Sequence, residues 1–138
     1  MFERLRDEGA LTVRVWQSLP HEKLPNLVAA GVESGSGDEW LRVGYLKAFM
    51  DGTLGSRTAR LSDGSGIAVT EATEFAETGA RATEAGFPVA VHAIGDLAVR
   101  EALGGFAASA DESRRHDLRH RIEHVQLLQA TDVLLACA

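Results

Sequence analysis

FPVAVHAI, residues 87–94, is the stretch whose reading decides the fold. A strand with one face in water alternates apolar and polar residues. This run is apolar on both faces except at His92, as a strand covered on both sides should be, which favours a parallel sheet over an exposed antiparallel one. Three other stretches read as strands: LTVRVWQSL (11–19), LRVGYLKAFM (41–50) and LRHRIEHVQLL (118–128). Helical patterns lie between them. TEATEFAETGARATEAG (70–86) sets Ala72, Phe75, Ala76 and Gly79 on one face and ends at Gly86, suited to the position just past a helix. After the third strand, Asp96 suits the N-cap of LAVREALGGFAAS, where Val99, Ala102, Leu103 and Phe106 recur at helical spacing. HEKLPNLVAAG (21–31) is weaker because Pro25 interrupts it, and QATDVLLACA reads as a helix start. Strand and helix in alternation imply βαβ units, so the fold class is α/β.

Composition narrows the function. The chain has 138 residues, 45% hydrophobic and 25% charged, which suits one globular domain with a core of useful size. A net charge of −6 argues against nucleic acid or an anionic membrane surface as partner. No segment reaches the roughly 18 consecutive apolar residues of a membrane-spanning helix. The N-terminal MFERLRDEG alternates charges where a signal peptide would be apolar. Cys137 is the only cysteine, so a reducing, cytoplasmic setting is expected. His21, His116 and His120 lie among charged or turn-forming residues and are expected to be solvated.

Lys47, His92 and His124 each fall near the C-terminal end of a different expected strand, where parallel α/β folds gather their active sites. Alternation puts Lys47 on the face of Tyr45, His92 on the face of Ala90 and His124 on the face of Ile122. Imidazoles held on neighbouring strands are ready donors for zinc. A lysine made neutral by desolvation or a nearby cation can add carbon dioxide to form a carbamate, an anion able to bridge two metal ions. The plainer alternatives are a strand histidine that is only a hydrogen-bonded core residue, and a lysine that snorkels to a rim.

KAFMDGTLGSRTA, VAVHAIGD and RIEHVQ resemble three successive blocks of the metal-dependent amidohydrolase superfamily, and specifically its YtcJ-like branch, which includes N-substituted formamide deformylases. FERLRDEGALTVRVWQSLP and GDEWLRVGYLK extend the resemblance over most of the chain. It implies that Lys47 is the carboxylated bridging ligand and that His92 and His124 are metal ligands. It also implies a partial (β/α)8 barrel, residues 1–138, whose four parallel strands are barrel strands three to six. The expected cofactors are a divalent ion, zinc foremost, and carbon dioxide as the Lys47 carbamate. The implied function is hydrolysis of carbon–nitrogen bonds other than peptide bonds, in amide- or formamide-like small molecules, by a metal-bound hydroxide.

The family pattern also calls for a His-x-His pair after the first barrel strand and a general-base aspartate after the eighth; neither is matched here. A complete barrel takes about 250 residues. The chain is therefore expected to be a portion of a longer protein, inactive or impaired alone. The alternative is a non-catalytic half-barrel stable only as a homo-oligomer joined through its exposed sheet edges. Asp51, Arg57 and Asp96 are candidate substrate contacts, although Asp51–Gly52 also suits a turn and Asp96 a cap. The loop they flank is no phosphate cradle, since no Gly-Lys-Ser/Thr follows. Glu123 alternates away from His124 and is expected to pair with Arg121 or Arg119. Trp16, Trp40 and Phe87 are assigned to packing.

Overall fold

A computed structural model describes residues 1–136, so Cys137 lies outside the described residues. Four strands, β1 (Val15–Pro20), β2 (Leu41–Phe49), β3 (Val89–Ala93) and β4 (Arg121–His124), form one sheet in the order β1-β2-β3-β4. Every neighbouring pair is parallel. The helices are α1 (Phe2–Asp7), α2 (Leu24–Ala29), α3 (Ala72–Glu84), α4 (Asp96–Ala107), α5 (Ala110–Arg115) and α6 (Ala130–Ala136). None among the described residues is long and apolar enough to cross a membrane. The α/β class and the parallel sheet agree with the sequence reading, and the arrangement is that of part of a (β/α)8 barrel.

The core lies between one face of the sheet and the helices. All five β3 residues are buried. Val89, Val91 and Ala93 join Leu46, Ala48 and Met50 from the β2 side, and Phe75, Ala82, Ala98, Val99 and Ala102 from α3 and α4. Each fully buried valine, leucine or phenylalanine contributes about 1.5–3 kcal/mol. The two helices approach closely at Gly105, where a Cβ would stand 2.6 Å from the Phe75 ring. Phe75 and Phe106 meet edge-on at 5.2 Å.

Several expectations change in detail. Residues 11–14 do not join β1, because Leu11 hydrogen-bonds back to Leu5 and packs the chain against α1. The fourth strand is only Arg121–His124, since Asp117 before it and His124 and Val125 at its end take positive φ. Pro25 does not interrupt a helix; it stands in the first turn of α2, where its missing N–H costs nothing. Gly95, not Asp96, is the N-cap of α4. Gly86 does follow α3 with φ 75°. Phe87 is buried, but Trp16 and Trp40 are 50% and 39% exposed. Trp16 lies flat against Gly44, where a Cβ would stand 2.1 Å from the indole.

His120 is the clearest correction. Instead of being solvated, it accepts the Val89 N–H at Nδ1 (3.0 Å), sits 2.8 Å from Ser113 Oγ at Nε2, and stacks on Phe106 at 4.7 Å. The ring thus pins the start of β3 to α4 and α5. Burial pushes its pKa below the ordinary histidine value. The neutral ring therefore stabilises the fold fully above about pH 6.5, and that contribution is lost as pH falls through the lower folded value. His120→Ala leaves the Val89 N–H unpaired, so it should cost about 1–3 kcal/mol at pH 8. Urea midpoints at pH 8 and pH 5 check both points: the variant should be less stable at pH 8 and show a smaller acid-side loss than the parent chain.

Candidate functional site

Parallel register sets the site out in rows. Lys47 pairs with Ala90 and Ala90 with Arg121; Phe49 pairs with His92 and His92 with Glu123. Partners in register point to the same side, and Leu46, Ala48 and Met50 occupy the helix-packed side. Tyr45, Lys47, Phe49, Ala90, His92, Arg121 and Glu123 therefore share the opposite face, the one a barrel would enclose.

His124 departs from this alternation. Its register partner is Ala93, whose side chain belongs to the helix-packed core. A regular strand would turn the imidazole away from His92. Instead His124 has φ 79° and Val125 φ 47°, the left-handed region that non-glycine residues rarely enter. Such a conformation costs of order 1–3 kcal/mol and persists only where the surroundings hold it. Here Val125 N–H bonds to Ala93 O at 3.1 Å and Leu127 N–H to Ile94 O at 3.1 Å. The twist brings the His124 ring to 4.7 Å from that of His92, at 69°. Two imidazoles thus meet at the C-terminal rim.

His92 is 8% exposed, and its Nε2 lies 2.8 Å from the Gly52 carbonyl. A carbonyl only accepts, so Nε2 carries the proton, and in the neutral ring Nδ1 keeps the lone pair. Backbone-anchored imidazoles of this kind are the usual state of a metal-binding histidine. Lys47 does not point to open solvent. Its Nζ donates to Glu123 Oε2 at 2.7 Å and stands 4.9 Å above the Phe49 ring. Glu123 Oε1 is 3.2 Å from Arg121, which in turn lies over Tyr45. The Lys47 hydrogen bond, then the neighbouring charges, hold the Glu123 carboxyl below the usual glutamate range. Beside Lys47 opens a cleft of about 410 Å³ lined by Pro20, His21, Glu22, Phe49, Thr70 and Glu74 among others. His21, expected in solvent, is a half-buried wall of this cleft. Among the described residues no three histidine, cysteine or acidic side chains stand close enough to hold a metal ion; the rim carries two imidazoles in contact and an ammonium ion-paired to Glu123.

A sequence profile described as the amidohydrolase family matches residues 1–136. The chain belongs to the amidohydrolase family. It is 35% identical over 96 residues to "Putative amidohydrolase YtcJ" of Bacillus subtilis (strain 168), covering 64% of this chain and 18% of that protein. It is 36% identical over 97 residues to "Protein LONG AFTER FAR-RED 3" of Arabidopsis thaliana, covering 65% and 17%. Two solved structures described as metal-dependent hydrolases superimpose on it. One is from Pyrococcus furiosus, with TM-score 0.79 at 34% identity. The other is from Pyrococcus horikoshii OT3, with TM-score 0.82 at 32% identity. Each covers 96% of this chain, which spans 28% and 27% of their respective lengths. The chain thus spans less than a fifth of those curated relatives.

Within this amidohydrolase rim the candidate substrate contacts separate. Asp51, expected at the substrate face, is instead enclosed, its oxygens taken by the N–H groups of Arg60, Ile94 and Gly95. Asp96 accepts from Ser62 N–H at 2.9 Å, from Ser62 Oγ at 2.6 Å and from Gln129. These bonds, the Ser62 hydroxyl first, hold its carboxyl down at about 2. Arg57 stands exposed on the loop with φ 58° and makes no ion pair among the described residues. Glu123 was legible as the partner of Arg121, whereas its closer tie to Lys47 was not. That tie depends on the inter-strand register, which sequence spacing does not carry.

Glu123→Gln removes the charge that anchors Lys47. For a partly exposed pair the loss should be about 0.5–1 kcal/mol in a denaturant titration. The more telling readout is Lys47 itself: its acylation by acetic anhydride, followed by peptide mass mapping, should quicken several-fold over the parent chain. An unchanged rate would show that Glu123 does not hold Lys47 in solution.

Proposed function

We propose that the chain is part of a metal-dependent hydrolase that cleaves carbon–nitrogen bonds other than peptide bonds, in amide- or formamide-like small molecules. The observation that carries this reading is the convergence of His92 and His124, rings 4.7 Å apart, on the rim that also bears Lys47. The hydrolase family membership and the two metal-dependent Pyrococcus neighbours support it. The imidazole pair fits a divalent ion, and zinc is the ion we propose. Bound there, it would act as a Lewis acid that lowers the pKa of water and polarises a carbonyl.

In this reading the four strands are barrel strands three to six, and His92 and His124 each give a ring nitrogen. Lys47 would join them as a third ligand once it had left Glu123 and lost its ammonium proton. Its neutral nitrogen then adds to the carbon of carbon dioxide, the displaced N–H proton passes to water, and a carbamate remains. Arg57, exposed beside the rim, is our candidate for contact with substrate, and the cleft against Phe49 and His21 the space that receives it. The 138 residues contain no His-x-His. Three such ligands, without the family's general-base aspartate beside them, would hold metal but leave turnover impaired in this chain alone. The setting proposed is cytoplasmic.

Zinc titration of the purified chain, followed by calorimetry, should give uptake that His92→Ala and His124→Ala each weaken at least tenfold, with formamide hydrolysis slow or undetectable. No uptake, or uptake indifferent to both substitutions, would sink the proposal.

A second reading, the self-associating half-barrel, draws on the sheet's open face. Phe49 is 46% exposed there, and the outer strands β1 and β4 each pair on one side only. Such edges and apolar faces drive association. Light scattering should report a dimer or larger assembly, and Phe49→Asp should move it toward monomer. A monomeric parent chain at high concentration removes this reading.

A further inference from the structure

Asp51 is a charged side chain with no exposed surface, which needs a physical account. An ionised carboxylate is kept in the interior only where hydrogen bonds or charges replace its lost water. Three backbone N–H groups do so: Ile94 to Oδ1 at 3.0 Å, Gly95 to Oδ2 at 2.8 Å and Arg60 to Oδ2 at 2.9 Å. Two of these donors begin the turn leaving β3, two and three residues beyond His92. The third lies where the long loop after β2 comes back on itself. The contact is so close that a Cβ on Gly95 would stand 1.9 Å from the Arg60 carbonyl oxygen. Asp51 therefore ties the loop after β2 to the turn after β3.

The same residue stands behind the His92 ring. Its Oδ1 is 3.6 Å from Nε2, and the next residue, Gly52, supplies the carbonyl that accepts the Nε2 proton at 2.8 Å. The ring's acceptor thus belongs to the residue next to an anchored carboxylate, and that carboxylate also stands within ion-pair reach of the ring. We propose that Asp51 is a positioning residue for His92: its enclosed carboxylate seats the Gly52 carbonyl against the ring and fixes both the ring's orientation and its tautomer. For metal binding this rests on the reading of His92 as a ligand; for the ring itself it does not.

The opposite tie, from Asp96 back to Ser62, supplies a matched control. It joins the same two segments, but its bonds are made to Ser62 and Gln129 and not beside His92. Ser62→Ala should loosen the loop without altering the imidazole.

The test is made on the metal-free chain with 15N-labelled histidine. The parent spectrum should show His92 as the Nε2–H tautomer. Asp51→Asn places an amide donor among N–H donors and should give a mixture of tautomers, while Ser62→Ala keeps the parent pattern. Asp51→Ser, which retains an acceptor oxygen without a second donor, serves if the asparagine variant does not fold. Zinc affinity should fall 10- to 100-fold in the Asp51 variant, the usual range for losing a residue that orients a ligand. An Nδ1–H ring in the parent, or an unchanged tautomer in a folded Asp51 variant, overturns the proposal even if the chain binds zinc. A parent chain that takes up no zinc but whose tautomer responds to Asp51 overturns the metal reading and leaves the positioning role standing.

Discussion

Burial of β3 on both faces is the constraint from which the rest follows. The strand lies between β2 and β4 with all five residues out of water. A polar side chain in such a strand must find its partner on the spot, because an unpaired buried donor costs about 1–3 kcal/mol. His92 is that side chain, and its partner is the Gly52 carbonyl. The loop after β2 is thereby drawn across the strand end. Asp51 and Asp96 then hold it there from the two sides, each bonding the other's segment.

The charged residues of the rim are arranged as a chain of alternating sign: Lys47, Glu123, Arg121. In water such pairs contribute little, but Lys47 is only 23% exposed and stands over an aromatic face. The one amine cannot be both the ammonium that bonds Glu123 and an anionic ligand. A carbamate placed 2.7 Å from a carboxylate would repel it. Arg121, already beside the other oxygen of Glu123, would be the cation left to hold that carboxylate if Lys47 became the proposed carbamate.

Much of the architecture was legible because it depends on local pattern. The two-sided apolar run around His92 announced a parallel sheet, and the spacing of Phe75 and Gly79 announced the face of α3. Gly86 marked the end of that helix through its freedom at positive φ. Legibility failed where one segment answers to another distant in sequence. His120 sits among charged residues yet is held by Val89 and Phe106. Trp16 is large and apolar yet half exposed, because Gly44 offers it a flat seat and nothing among the described residues covers its far side.

The candidate site divides along the same line. Residue types and their order along the chain determined that a lysine and two histidines sit at the ends of three parallel strands, since strand periodicity and apolar burial are properties of short segments. Tertiary structure alone decided that the two imidazoles meet. Alternation by itself would have sent His124 to the helix side, and only a left-handed turn, held by bonds to Ala93 and Ile94, swings its ring toward His92. It also decided that Lys47 faces Glu123 and that Asp51 is sealed inside, because inter-strand register and loop closure are settled by contacts between residues tens of positions apart.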